Sequence, residues 1–153
     1  MTDSNGDLDI HQKETLRLEI VGYARKLLGI PYEYGAEWVD HIIKPNSLDC
    51  SELVEGVYDL SKLKMPDGSQ NQYDFTIPTL NPQPADLAFF GKGGNIKKIY
   101  HVGLIMDNLN IIEARGYQPQ SDFETGKVIT RPRINWENFK PNFIGYRSHP
   151  KLI

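Results

Sequence analysis

The sequence predicts an α+β fold in which N-terminal helices pack on a mainly antiparallel sheet of about five strands. Apolar residues recur at helical spacing only in the first 62 residues, whereas the second half holds short β-rich segments separated by turn residues. Helices followed by strands are typical of this fold class. A length of 153 residues and a hydrophobic content of 39% fit one domain over residues 11–153, preceded by a loose polar lead-in at residues 1–10.

Two helices are predicted in the first half of the chain. The first covers residues 12–28 and is ended by Gly29 and Pro31. The second starts at Cys50 and runs to about residue 62. Asp49 is suited to cap its first turn, and Glu52 is suited to reach back to the cap in an Asp variant of the capping box.

Loops and strands make up the rest of the chain. Residues 30–47 and 65–84 contain many turn residues and are predicted as long loops, the second of which is long enough to serve substrate binding. The predicted strands cover residues 87–90, 100–106, 111–115, 127–131 and 143–147.

Composition argues against several classes of function. A net charge of −3, without a local cluster of basic residues, gives no footprint for nucleic acid. No apolar run approaches the roughly 20 residues that span a bilayer, and the acidic, polar start of the chain does not resemble a signal peptide. A single cysteine allows no internal disulfide and no cysteine-based zinc site, so we expect neither a metal nor another cofactor.

Cys50 is the candidate nucleophile. It lies in the first turn of the second predicted helix, where exposed N–H groups and the positive end of the helix dipole favour a thiolate. The alternative is a small buried hydrophobe, which is common for cysteine. A nucleophilic thiol needs a base within hydrogen-bonding reach and a third group that orients the base.

His101 and Glu113 are the candidates for those two roles. They lie on consecutive predicted strands, 113 − 101 = 12 residues apart. A connecting loop with an odd number of residues, for example 107–109, makes Glu113 face Gly103 and lie diagonal to His101. The missing side chain at Gly103 would leave room for that contact. An even loop would put Glu113 on the other face, where it would be solvated or paired with Arg115.

Four motifs, in order along the chain, resemble those of the NlpC/P60 family of papain-like cell-wall cysteine peptidases. The family's Asp-Cys-Ser-Gly-Leu-Val motif is similar to residues 49–54, and its His-Val-Gly motif matches residues 101–103. Its Pro-Tyr-x-Tyr-Gly stretch matches residues 31–35, and its Pro-Gly-Asp-Leu-x-Phe-Phe strand is similar to residues 84–90. The resemblance covers about residues 20–147, nearly the whole chain.

The resemblance implies hydrolysis of an amide bond in the peptidoglycan stem peptide, between D-γ-glutamate and the following diamino acid. It implies that Cys50 attacks the carbonyl carbon, that His101 carries the proton and that Glu113 orients His101. The backbone N–H of Cys50 would hold the oxyanion, aided by Tyr34. The alternative for Tyr34 is a simple core aromatic.

This chain departs from the family pattern at two positions. Glu52 replaces the usual glycine, which predicts a narrower or more acidic groove beside the nucleophile. Glu113 stands where the family usually carries His, Asn or Gln, although the related CHAP amidases sometimes use Glu. Asp49 and Ser51 are expected to act first as helix caps and second as substrate contacts.

Two other functions compete with this interpretation. One is a CHAP-like N-acetylmuramoyl-L-alanine amidase, and the other is a non-catalytic wall-binding or virion structural module. Because peptidoglycan lies outside the cytoplasm and no signal peptide is recognised, we expect delivery to the periplasm or cell wall by a phage tail or a secretion assembly. Trimming of imported wall fragments in the cytosol is the alternative.

Overall fold

The computed structural model describes residues 6–153, and it confirms an α+β fold. Within these residues the sheet has six strands, where about five were predicted: β1 (Ile77–Thr79), β2 (Leu87–Gly91), β3 (Ile99–Ile105), β4 (Asn110–Arg115), β5 (Lys127–Pro132) and β6 (Phe143–Ser148). Their order is β1-β6-β2-β3-β4-β5, and all neighbours are antiparallel. The helices of the described part are α1 (Ile10–Arg25), α2 (Cys50–Leu60), α3 (Ser69–Phe75) and α4 (Arg133–Glu137).

Helix α1 begins two residues before its predicted start and ends three residues before its predicted end. Asp9 caps it, because the Asp9 carboxylate accepts from the N–H of Gln12 at 2.9 Å. The side-chain oxygen of Gln12 accepts in turn from the N–H of Asp9 at 3.0 Å, which completes a capping box. The polar lead-in predicted for residues 1–10 therefore ends before Ile10, where α1 begins. Its residues 1–5 lie outside the described part of the chain.

Helix α2 buries one face against α1 and the sheet. That face consists of Leu53, Val54, Val57 and Tyr58. Asp49 caps the helix as predicted, since its Oδ1 accepts from the N–H of Glu52 at 2.9 Å. The predicted return contact of Glu52 is wrong, because Glu52 Oε2 accepts from the backbone N–H of Trp38 at 3.2 Å. Glu52 thereby ties the start of α2 to the preceding loop.

The predicted long loop over residues 65–84 is also wrong, because α3 and β1 lie within it. Gln72 of α3 is fully buried, and its Nε2 donates to the carbonyl oxygens of Ser51 at 2.9 Å and Pro66 at 3.0 Å. Strand β1 pairs with β6 at one edge of the sheet. Both elements are short and depend on partners distant in sequence, so local periodicity does not predict them.

Buried side chains cover both faces of the central strands. On one face the helices α1 and α2 enclose the larger core, which includes Leu53 and Leu104. Successive strand residues point to opposite faces, and a smaller cluster around Phe90 and Trp136 covers the other face. Trp136 comes from α4, a helix that the sequence did not predict. Among residues 6–153, no helix combines the length and apolar character needed to cross a bilayer.

Candidate active site

Cys50 lies at the N-terminus of α2, beside an open cleft of about 470 Å³. The cleft lining includes Tyr32, Tyr34, Asp49 and Asp67. Only 8% of the surface of Cys50 is exposed, so burial alone fits either a nucleophile or a small hydrophobe. The groups around the thiol are therefore more informative than its exposure.

The hairpin of β3 and β4 has the odd loop that brings His101 and Glu113 together. Leu104 pairs with Ile112, and the N–H of Met106 donates to the carbonyl oxygen of Asn110 at 3.0 Å, which leaves residues 107–109 as the loop. His101 and Glu113 therefore lie on the same face. His101 Nε2 is 2.8 Å from Glu113 Oε1. Of the two hairpin alternatives, the odd one is present.

His101 is buried at the start of this hairpin, against the rings of Phe90 and Trp136. Because Nε2 faces Glu113, Nδ1 is the ring nitrogen that remains for the hydrogen bond with the Cys50 thiol. Burial on its own would lower the pKa of His101. The hydrogen bonds with Cys50 and Glu113, together with their negative charges, outweigh burial and raise that pKa to about 9. This environment stabilises the imidazolium that forms when His101 takes up a proton.

Glu113 has no exposed surface and is surrounded by donors. Arg131 donates from Nε to Oε2 at 2.6 Å and from Nη2 to Oε1 at 3.0 Å. Trp136 Nε1 donates to Oε2 at 3.0 Å, and Arg115 Nη1 lies 3.6 Å from Oε1. Burial would raise the pKa of Glu113, but the hydrogen bond and charge of His101 and those of Arg131 lower it to about 2. Glu113 is therefore a carboxylate at neutral pH.

Sequence reasoning missed Arg131 and Trp136. The sequence left two alternatives for Glu113, which were orientation of His101 and solvation or pairing with arginine. In the structure, the side chain contacts His101 and arginine at once. A Cβ on Gly103 would lie 2.6 Å from Ile111 Cγ2 and 2.8 Å from a ring carbon of Trp136. The space left by Gly103 is thus filled by Trp136 and Ile111. The signal in the sequence was the presence of Trp136, because the N–H of a tryptophan usually finds an acceptor when the ring is buried.

The two tyrosines of the 31–35 stretch have different environments, and Tyr34 is not a core aromatic. Tyr34 is 90% exposed, and among residues 6–153 its hydroxyl makes no hydrogen bond. Tyr32 is half-buried, and its burial, followed by the negative charges of Cys50 and Asp49, raises its pKa to about 12. Tyr32, which sequence reasoning did not select, therefore lies close enough to Cys50 for the charge of Cys50 to affect its pKa.

Asp49 and Ser51 form the cap of α2 and also line the cleft. Besides accepting from the N–H of Glu52, Asp49 Oδ1 lies 3.3 Å from Ser51 Oγ, which donates to it. Only 7% of Ser51 is exposed. The capping role is thus present, while contact with substrate stays a prediction.

The environment of Glu52 argues against the predicted gain in acidity, while its side chain lines the cleft. It is 7% exposed, and its oxygens lie within 4.8 Å of those of Glu55 and Asp67, the carboxylates of the described chain that come close enough to hold a cation. Burial raises the pKa of Glu52 to about 8, opposed by the hydrogen bond from the Trp38 N–H and assisted by Glu55 and Asp67. At neutral pH, Glu52 therefore adds bulk and a proton rather than negative charge.

Comparisons with known proteins agree with this geometry. The model of the NlpC/P60 family matches residues 29–131, which is more than half of the chain. Among curated proteins, no sequence matches this chain.

Several solved structures share the fold. An NLP/P60-family lipoprotein-like protein from Staphylococcus aureus has a TM-score of 0.65 and 24% identity over 97% of this chain and 45% of its own. The peptidoglycan hydrolase RipB from Mycobacterium tuberculosis has a TM-score of 0.66 and 21% identity over 92% of this chain and 67% of its own. The P60 domain of a Mycobacterium avium subspecies paratuberculosis antigen has a TM-score of 0.67 and 20% identity over 90% and 96% of the two chains. This chain spans less than half of the staphylococcal protein.

Proposed function

This chain belongs to the NlpC/P60 family, and we propose from that premise that it is a cysteine peptidase of the peptidoglycan stem peptide. One structure with the same fold, RipB, is a peptidoglycan hydrolase. The observation that carries the proposal is the buried His101, whose Nε2 lies 2.8 Å from Glu113 Oε1 and whose pKa is raised by both Cys50 and Glu113.

The proposed reaction has two halves. Cys50 gives its proton to Nδ1 of His101, and Sγ attacks the carbonyl carbon of the scissile amide. The backbone N–H of Cys50, which is free at the helix start, and the hydroxyl of Tyr32 stabilise the oxyanion. The proton on Nδ1 passes to the leaving amine as the C–N bond breaks and a thioester forms. Water then loses a proton to Nδ1 and attacks the thioester, which releases the acid and restores the thiol.

The charge of the cleft supports the bond from D-γ-glutamate to the diamino acid as the target. The lining includes the carboxyl groups of Glu37, Asp49 and Asp67, and it includes no lysine or arginine among the described residues. A cleft of this kind favours a substrate with an ammonium group, and the diamino acid of the stem peptide carries one.

Mass spectrometry of the products from purified peptidoglycan tests the bond. We expect glycan fragments that keep L-Ala and D-Glu, together with released peptides that begin at the diamino acid. An N-acetylmuramoyl-L-alanine amidase would instead release stem peptides that begin with L-Ala and leave the lactyl group free. That second pattern would replace the endopeptidase proposal with the amidase.

The two tyrosines offer a matched pair of variants. We expect Tyr32→Phe to lower kcat by about tenfold or more, because removing a single oxyanion donor commonly costs at least this much. Tyr34→Phe deletes the same atom from a side chain that is 90% exposed, so we expect kcat within about twofold of wild type. Steady-state hydrolysis of a soluble stem peptide measures both. Equal losses in the two variants would remove Tyr32 from the oxyanion site.

The proposed place of action follows from the substrate. Because peptidoglycan lies outside the cytoplasm, we propose delivery to the periplasm or cell wall by a phage tail or a secretion assembly. Cleavage of imported wall fragments in the cytosol is the other proposal, and it would use the same site chemistry.

A further inference from the structure

We propose that Arg131 is a positioning residue for this reaction, and that the group orienting His101 is the Glu113–Arg131 pair rather than the carboxylate alone. The inference rests on the proposed function in one respect, which is that His101 serves Cys50 as base. The inference goes beyond the proposed function by stating that a carboxylate at position 113 orients His101 only with a buried cation beside it.

Both members of the Glu113–Arg131 pair are buried. Glu113 is 0% exposed and Arg131 is 6% exposed, so neither charge is solvated by water. A buried charge without a partner is far more costly than a buried pair with good geometry. Replacing either residue alone by a neutral one therefore leaves the other buried charge without this partner, whereas replacing both removes both charges.

The contacts of Glu113 fix the orientation of its carboxylate. The two N–H donors of Arg131 bind both oxygens of Glu113, at 2.6 and 3.0 Å, which prevents the carboxylate from rotating. Trp136 Nε1 holds Oε2 at 3.0 Å, and so Oε1 is left directed at His101 Nε2. The Arg131 guanidinium also lies 5.1 Å from the Trp136 ring and 5.9 Å from the Phe90 ring, the two aromatic rings that pack on His101.

The charged groups around His101 determine how its titration responds. Cys50 faces it from α2, Glu113 and Arg115 come from β4, and Arg131 comes from β5. Neutralising Glu113 lowers the pKa of His101, because a negative charge is lost while two arginines stay nearby. Neutralising Arg131 in the same molecule removes one of those cations, so the pKa should rise part of the way back.

The test uses Glu113→Gln, Arg131→Met and the double variant, with Arg17→Met as the control. Arg17 of α1 forms an ion pair with Asp86, which precedes β2, at 2.6 Å. This pair is as deeply buried as the Glu113–Arg131 pair, and neither of its residues lines the cleft. Alkylation by iodoacetamide across pH reports on Cys50 alone, because the chain has one cysteine. NMR titration of His101 and the melting temperature complete the measurements, and none of the three needs a substrate.

We expect each single variant at the pair to lower the melting temperature by on the order of 10 °C and the alkylation rate at pH 7 by about tenfold. The double variant should recover most of the loss in melting temperature but not the loss in alkylation rate, because the pair that orients His101 is absent from it. The His101 midpoint should be lowest in Glu113→Gln, higher in the double variant and highest in wild type. Arg17→Met should lower the melting temperature but leave the alkylation profile and the His101 midpoint unchanged.

Three results would overturn the inference. They are a double variant that melts no higher than either single variant, an Arg131→Met alkylation profile equal to that of Arg17→Met, or a double variant that does not fold. If Glu113→Gln does not fold while the double variant does, the charge-matching argument is supported. Failure of the wild type to cleave peptidoglycan would count against the proposed function alone, because alkylation and NMR read the pair without substrate.

Discussion

Replacing Cys50 with alanine is expected to reduce hydrolysis of peptidoglycan by at least about 10³-fold, because the reaction loses its covalent nucleophile. The change removes one sulfur atom at the first turn of α2, where the Asp49 cap and the buried face of the helix are untouched. The melting temperature should therefore change little. Release of soluble stem-peptide fragments from purified walls, measured over a time course, gives the rate.

Ser61→Ala is a matched control at the other end of the same helix. Ser61 is 7% exposed, and its Oγ is buried without a hydrogen-bond partner among the described residues, so deleting that atom removes no polar contact. Its rate should equal that of wild type. Activity above about 1% in Cys50→Ala would contradict covalent catalysis by this thiol and would favour a different nucleophile or a water-based mechanism.

Gly103→Ala is expected to disturb the packing beside Glu113 and to lower both stability and kcat. The new Cβ would lie 2.6 Å from Ile111 Cγ2 and 2.8 Å from the Trp136 ring, distances at which neighbours must move. Overpacking of this kind costs about 1–3 kcal/mol, which corresponds to a fall in melting temperature on the order of 5 °C. Displacement of Trp136 also disturbs its bond to Glu113, so kcat should fall with stability.

Gly22→Ala separates this steric effect from the general effect of adding a methyl group to glycine. Gly22 lies inside α1, and a Cβ there would meet nothing within 4 Å. Alanine is favoured over glycine in a helix by roughly 0.5–1 kcal/mol, so this variant should be more stable than wild type. A Gly103→Ala protein with the melting temperature and kcat of wild type would show that Trp136 can move without consequence for the site.

Local chemistry explains why the sequence could predict part of the site. Asp107 Oδ1 accepts from the N–H groups of Leu109 and Asn110, both at 2.8 Å, and this side-chain turn sets the odd hairpin loop. Aspartate at the start of such a loop is visible in the sequence, so the pairing of His101 and Glu113 could have been argued more strongly from turn chemistry.

Contacts between segments far apart in the sequence could not be predicted, because local patterns do not specify them. Arg131 lies 18 residues after Glu113, and their contact depends on the register between β4 and β5 across an intervening segment whose path no short pattern specifies. Tyr34 was selected from its resemblance to the family's active-site tyrosine, and the 31–35 stretch holds two tyrosines whose burial the sequence does not show. The turn at Gly35, where φ is +75°, leaves Tyr34 exposed while Tyr32 is half-buried.

The complete burial of Glu113 restricts the route of hydrogen through the catalytic cycle. One side of the imidazole is sealed by a carboxylate that water does not touch, and so only Nδ1 exchanges hydrogen with the cleft. In the proposed reaction, the hydrogen on Nε2 stays in place from one turnover to the next. The hydrogen delivered to the departing amine is therefore the one held on Nδ1, and deuterium from the solvent reaches the product through Nδ1 rather than through Nε2.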